Sequence, residues 1–273
     1  MLSAAFLLLL AQARVETDVV YSRIGSTEIK MDIYHPAKPV RTPAPAVLVI
    51  HGGAWMSGMR TDMAAMARAF ADKGVVAVTP SYRLAPASLW PAMLDDVQTA
   101  VRFLRANSAK YNIDPKRIGA AGASAGGHLA LFLGFRDTRD PNPKEYPEHS
   151  SRVSAVFDLF GPTDASLFPQ NLDVVFQMVL GKPRAQAAKE MRDASPIHFA
   201  DEKSAPVFIV QGLSDLLVAP DHSRKLESRL KELKVPVQAV YVEGMGHDVD
   251  LRKPAVRDAM DKALTWLVSE LSK

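Results

Sequence analysis

One serine in this chain has a glycine two positions to either side: Gly122-Ala123-Ser124-Ala125-Gly126 is the only G-x-S-x-G. An apolar run at residues 118–121 leads into it, and an apolar, helix-like run at 129–135 leads out. A strand that turns directly into a helix holds its central residue in a strained conformation, and the chain folds back on itself only past the smallest side chains. Ser124 would then stand exposed at a helix N-terminus, where amide N–H groups and the helix dipole favour a developing negative charge. The same residues also fit a Gly/Ala-rich turn with a capping serine, so the chemistry depends on what else converges there.

A hydroxyl nucleophile needs an adjacent base, itself held by a third group. After such an elbow the chain order runs serine, acid, histidine. Of the seven histidines, His35 and His51 come before Ser124. His128 lies one turn into the following helix and is expected to pack beside the elbow. His149 and His198 fall in polar or connecting segments, and His222 begins a helix. His247, in Gly244-Met245-Gly246-His247, follows the last apolar run and is assigned as the base. The acid is Asp215, in Gly212-Leu213-Ser214-Asp215, with Asp164 of Gly161-Pro162-Thr163-Asp164 as its rival; Asp248 and Asp250 are read as solvated. His51-Gly52-Gly53-Ala54-Trp55 follows another apolar run. Paired glycines let main-chain N–H groups point at one spot, as the oxyanion of acyl transfer requires. Gly52, Gly53 and Ala125 are assigned as oxyanion donors, with Ala54 as a substitute and His51 as a brace. Trp55, Phe168, Leu216 and Leu217 are expected to line an apolar pocket, with Met56, Leu167 and Val218 beside them.

These residues need a scaffold. Runs at 46–50, 75–78, 118–121, 153–160, 207–210 and 237–242 are continuously rather than alternately apolar, with few polar interruptions, which predicts strands buried on both faces. Amphipathic stretches begin at Pro91 (Leu94, Val97, Val101, Leu104), Pro220 (Leu226, Leu230, Leu233) and Pro254 (Val256, Met260, Leu264, Leu267, Leu271), with proline where helices start. The alternation predicts an α/β fold: a mostly parallel central sheet with helices on both faces. Residues 18–34 hold two strand-like runs parted by Gly25-Ser26-Thr27, an N-terminal antiparallel hairpin. Residues 137–151 are polar and read as a surface loop. Residues 161–205 exceed an ordinary connection and contain a helical run at Val174, Val175, Met178 and Val179; a small lid insertion over the site is expected there. Nothing resembles a linker, so 14–273 is read as a single domain.

The chain has 273 residues, 48% hydrophobic and 23% charged, an ordinary globular balance able to bury a core without staples. A net charge of +3, dispersed, gives no argument for nucleic acid or an anionic membrane. There is no cysteine, hence no disulfide, thiolate metal site or cysteine nucleophile. No H-E-x-x-H, P-loop or G-x-G-x-x-G occurs, so no metal and no cofactor is expected. Residues 2–10 are apolar and Ala11-Gln12-Ala13 has the small-x-small form of a cleavage site. Residues 1–13 are therefore read as an export signal. No Lys or Arg precedes the run, which favours the alternative of a native helix in a cytoplasmic protein. The run is too short for stable membrane insertion, which needs about 20 apolar residues.

Four features in order carry a family likeness: His51-Gly52-Gly53-Ala54-Trp55, Tyr82-Arg83-Leu84-Ala85-Pro86 followed by Asp95-Asp96, the Ser124 elbow, and the Asp215/His247 pair. Together they resemble the α/β-hydrolase superfamily, in its bacterial esterase/lipase group of hormone-sensitive-lipase-like and feruloyl-esterase-like enzymes. The hormone-sensitive-lipase-like group commonly has a third glycine where this chain has Ala54. The likeness therefore leans to the feruloyl-esterase-like branch, which is also similar to acetylxylan esterases and kynurenine formamidases. No long cap precedes the hairpin, which points away from long-chain or bulky lipids. The resemblance implies a serine carboxylesterase acting without cofactor on short-chain esters, small or polysaccharide-linked. It also implies that Tyr82, Arg83 and Asp96 support the elbow.

Overall fold

A computed structural model describes residues 14–37 and 42–273; the expected export segment, 1–13, lies outside the described residues. In chain order the elements are β1 (Val15–Ile24), β2 (Thr27–Tyr34), β3 (Ala44–Ile50), α1 (Ala64–Asp72), β4 (Val76–Pro80), α2 (Ala92–Ala106), α3 (Ser108–Tyr111), β5 (Ile113–Ala123), α4 (Ala125–Phe135), β6 (Val156–Leu159), α5 (Asp173–Leu180), α6 (Ala188–Asp193), β7 (Val207–Gly212), α7 (Asp221–Glu232), β8 (Val237–Val242) and α8 (Pro254–Glu270). The strands form one sheet in the order β1-β2-β4-β3-β5-β6-β7-β8. β1 pairs with β2 and β2 with β4 antiparallel, and every other pairing is parallel. The expected α/β architecture and N-terminal hairpin are both present.

Side chains of successive strand residues point to opposite faces, and β3 shows what that does to the core. Ala46, Leu48 and Ile50 pack with Val97 and Val101 of α2, Phe132 of α4 and Leu226 of α7. Val47 and Val49 pack with Phe70 of α1 and Leu267 of α8. A strand covered on both sides must be apolar at every position, which is why its sequence does not alternate. Each large aliphatic chain fully buried this way contributes about 1.5–3 kcal/mol. Pro91 and Pro220 stand immediately before α2 and α7, and Pro254 is the first residue of α8.

Parallel pairing places the C-terminal ends of β3, β5, β6, β7 and β8 on one rim, and Gly52, Gly53, Ser124, Asp215 and His247 all follow strands at that rim. Residues between β6 and β7 hold α5, α6 and several 3-10 turns. Residues 137–151 form no helix or strand, but they are strapped to α2. Arg139 pairs with Asp95 at 2.7 Å, and Asp137 Oδ1 accepts the Ser151 N–H at 2.7 Å.

Candidate active site

Ser124 sits between β5 and α4 at φ 56°, ψ −122°, a region that costs a residue with a side chain appreciable strain. Its N–H donates to the Leu159 carbonyl at 2.9 Å, and its carbonyl accepts the His128 N–H at 3.0 Å. The flanking glycines are steric necessities. A Cβ at Gly122 would fall on the Gly126 carbonyl, and one at Gly126 on the Ile50 carbonyl.

The structure brings His247 and Asp215 to this serine. His247 Nε2 lies 2.9 Å from Ser124 Oγ, and His247 Nδ1 lies 2.7 Å from Asp215 Oδ2. Asp215 Oδ1 accepts the Leu217 and Val218 N–H groups, each at 2.9 Å. Burial pushes the Asp215 carboxyl up, but the bonds from His247 and the two N–H groups outweigh it and hold the group below the usual carboxylate range. An ionised Asp215 can only accept, so His247 Nδ1 carries the proton and Nε2 offers its lone pair to the Ser124 hydroxyl. The Phe160 ring packs on the imidazole, centroids 4.5 Å apart. Asp164 does not reach His247. It pairs with Lys225 at 2.6 Å and accepts from Ser166; burial opposes its ionisation, yet these bonds bring its carboxyl down to about 2.

The other expected supports have identifiable partners. His51 Nδ1 donates to the Gly52 carbonyl at 2.8 Å, and its ring stacks on Tyr82 at 4.2 Å. The Tyr82 hydroxyl donates to the His51 carbonyl at 3.0 Å, and Arg83 holds Asp96 through Nη2 at 2.7 Å. His128 and His222 are buried away from solvent, while His35 and His149 lie beside surface carboxylates. In the loop after β3, Gly52 packs against Ser124 and Ala123. Gly53 takes φ 107°, where a side chain would strike Ser57. Among the described residues, the N–H groups of Gly52, Gly53, Ala54 and Ala125 have no acceptor within the chain.

Beside Ser124 opens an apolar cavity of about 60 Å³ lined by Trp55, Phe168, Phe176, Leu217 and Val218, with Ala54 and Ala125 at its mouth. Leu216 is a correction: it is 95% exposed and does not line the cavity. The turn in which Asp215 Oδ1 holds the next two N–H groups leaves Leu216 at its apex, directing Leu217 and Val218 inward. Phe176, from α5, was not foreseen; the amphipathic run around it signalled a helix but not which rim it would face. Among the described residues no group of three His, Asp or Glu is placed to hold a metal, and no helix is long and apolar enough to cross a membrane.

Asp158 on β6 is fully buried. Burial pushes its carboxyl up to about 8, against a single bond from the Gly161 N–H at 2.9 Å, and its Oδ2 has no partner among the described residues. An unfolded aspartate titrates near about 3.9. The folded chain therefore keeps a proton that the unfolded chain releases, and this group's contribution to stability declines as pH rises from about 4 to about 8. Asp158→Asn, neutral and of the same shape, is expected to gain on the parent as pH rises, its melting temperature relative to the parent being several degrees higher at about pH 8 than at about pH 5. Thermal melts at the two pH values check this; equal destabilisation at both would contradict it.

The sheet order, the elbow and the rim can be compared with known proteins. The BD-FAE family model matches residues 31–230. The chain belongs to the BD-FAE family. Its fold is that of the α/β-hydrolase esterases. Among solved structures, a truncated carbohydrate esterase from gut microbiota is 26% identical with a TM-score of 0.83, covering 97% of this chain and 99% of that one. Est2 of Thermogutta terrifontis with propionate bound is 25% identical with a TM-score of 0.80, covering 96% and 95%. Esterase LipC of Mycobacterium tuberculosis is 31% identical over 230 residues, which are 81% of this chain and 57% of LipC. The chain spans about half the length of the curated relatives it matches.

Proposed function

We propose that this protein is a serine carboxylesterase that cleaves short-chain esters through an acyl-enzyme. The observation that carries this reading is His247 bridging Ser124 Oγ at 2.9 Å and Asp215 at 2.7 Å. Ser124 Oγ attacks the ester carbonyl while His247 Nε2 takes its proton, and Asp215 stabilises the imidazolium. The oxyanion rests on the amides of Ala125, Gly52 and Gly53, with Ala54 next in the loop. His247 then protonates the leaving alcohol. Water, deprotonated by the same imidazole, attacks the acyl-serine and releases the acid and the free hydroxyl. The chain's own residues supply every group this sequence requires.

The size of the cavity supports a short acyl group, as does the propionate bound in the similar Est2. A series of p-nitrophenyl esters tests this: acetate and butyrate should turn over faster than palmitate, and a maximum at long acyl chains would contradict it. Phe176, with Trp55, Pro162 and Phe168, lines both this cavity and a tighter neighbouring space. Phe176→Leu deepens the pocket and is expected to raise the hexanoate-to-acetate ratio of kcat/KM by roughly threefold to tenfold; an unchanged ratio would remove Phe176 from the acyl pocket wall.

A second reading, an ester carried on a saccharide, is favoured by the likeness to the gut carbohydrate esterase. Acetylated xylan and methyl ferulate beside the p-nitrophenyl esters distinguish the two, the preferred class showing the higher kcat/KM.

A further inference from the structure

The loop that would cradle the oxyanion is strained at two successive residues that are not glycine, Ala54 at φ 51° and Trp55 at φ 60°. Such a conformation persists only where its surroundings over-determine it. One set of restraints is on the main chain: the Gly53 carbonyl accepts the Met56 and Ser57 N–H groups, each at 3.0 Å, and the Trp55 carbonyl accepts the Ala85 N–H at 2.9 Å. The other is on the side chain. The buried indole donates from Nε1 to His128 Nδ1 at 3.2 Å, and the two rings meet edge to face with centroids 5.0 Å apart.

His128 is well placed to receive it. It lies in the first turn of α4, and its own N–H donates to the carbonyl of Ser124 at 3.0 Å. Its far nitrogen, Nε2, donates to the Ala194 carbonyl at 2.8 Å, at the end of α6. One nitrogen accepting and the other donating fixes a single neutral tautomer. Burial keeps the ring neutral by bringing its pKa down to about 4. The space left among Trp55, Trp90, His128, Phe168 and Phe176 is about 10 Å³, at the lower limit for one water molecule. Solvent is therefore a poor substitute for the imidazole as acceptor.

We propose that His128 is a positioning residue for the reaction: through Trp55 it ties the oxyanion loop to the first turn of the nucleophile's helix, and so holds the loop's amides in register with Ser124. An ordinary core histidine would matter only for its shape. A latch matters for the acceptor at Nδ1, and that difference can be measured. The inference rests on the esterase reading above.

Three variants separate the two roles. Asparagine places an oxygen where Nδ1 was, glutamine places its amide where Nε2 was, and phenylalanine keeps the ring without either bond. The readouts are kcat and KM on p-nitrophenyl acetate, the melting temperature, and the inhibition constant of an aryl trifluoromethyl ketone. That ketone forms a hemiketal with Ser124 Oγ, passing its proton to His247, and its oxyanion needs the same amides. His128→Gln and His128→Phe are expected to lower kcat by roughly tenfold to a hundredfold, the scale of small misplacements in an active site, with KM changed less than about twofold. The ketone should bind more weakly by the same factor, and His128→Asn should recover most of both losses. If His128→Phe does not fold, the contrast between Asn and Gln decides. An Asn variant as impaired as the Gln variant, a loss confined to KM, or unchanged ketone affinity would overturn the latch. Retained activity in Ser124→Ala would instead defeat the esterase reading itself, so the two failures are distinguishable.

Discussion

Ser124→Ala is expected to lower kcat on p-nitrophenyl acetate by about 10⁴- to 10⁶-fold while leaving the melting temperature nearly unchanged. Among the described residues the side-chain oxygen makes one bond, to His247 Nε2, so its removal costs the fold little. The backbone at this position is held by main-chain bonds to Leu159 and His128, which alanine keeps. The rate falls this far because, among the described residues, no other hydroxyl bonds the imidazole. A variant within tenfold of the parent would show that Ser124 is not the nucleophile, whatever its geometry.

Asp215→Asn should cost about 10⁴-fold in kcat. Two N–H groups, of Leu217 and Val218, already claim one oxygen of this side chain. Asparagine would keep its oxygen for them and turn its NH₂ toward His247. The imidazole then has to accept at Nδ1, its proton moves to Nε2, and no lone pair faces the serine hydroxyl. Asp164→Asn is the matched control: it loses the Lys225 ion pair but touches neither His247 nor Ser124, and its kcat should stay within about threefold. Steady-state rates of the two variants check the assignment, and the reverse ranking would move the acid to Asp164.

The scaffold was legible because of the physics of double burial. β3 and β7 follow directly from unbroken apolar runs, β8 from a run interrupted by Gln238, and α2, α7 and α8 from stripes that begin at proline. α1 was passed over: its core contacts are Ala67, Phe70 and Ala71, and alanine gives little hydrophobic contrast along a sequence. The convergence of Ser124, Asp215 and His247 was legible for a different reason. Each follows a strand, and parallel pairing carries all such positions to one rim. Irregular loops offer no such rule. Leu216 and Leu217 are neighbours of the same type, and only the hydrogen-bonded turn around Asp215 decides which one faces the cavity. The partnership of Trp55 with His128 was equally hidden, because it joins a loop to a helix that sequence spacing does not relate to it.

Covalent trapping tests the central claim most directly. The protein would be inactivated with a p-nitrophenyl organophosphate, which a reactive serine displaces with release of p-nitrophenol, and the modified residue located by mass spectrometry of tryptic peptides. The account predicts one phosphoryl group per chain on the peptide of residues 118–136, at Ser124, with activity lost in step with its appearance. Inactivation with the group on another residue, or a labelled Ser124 in a fully active protein, would contradict it.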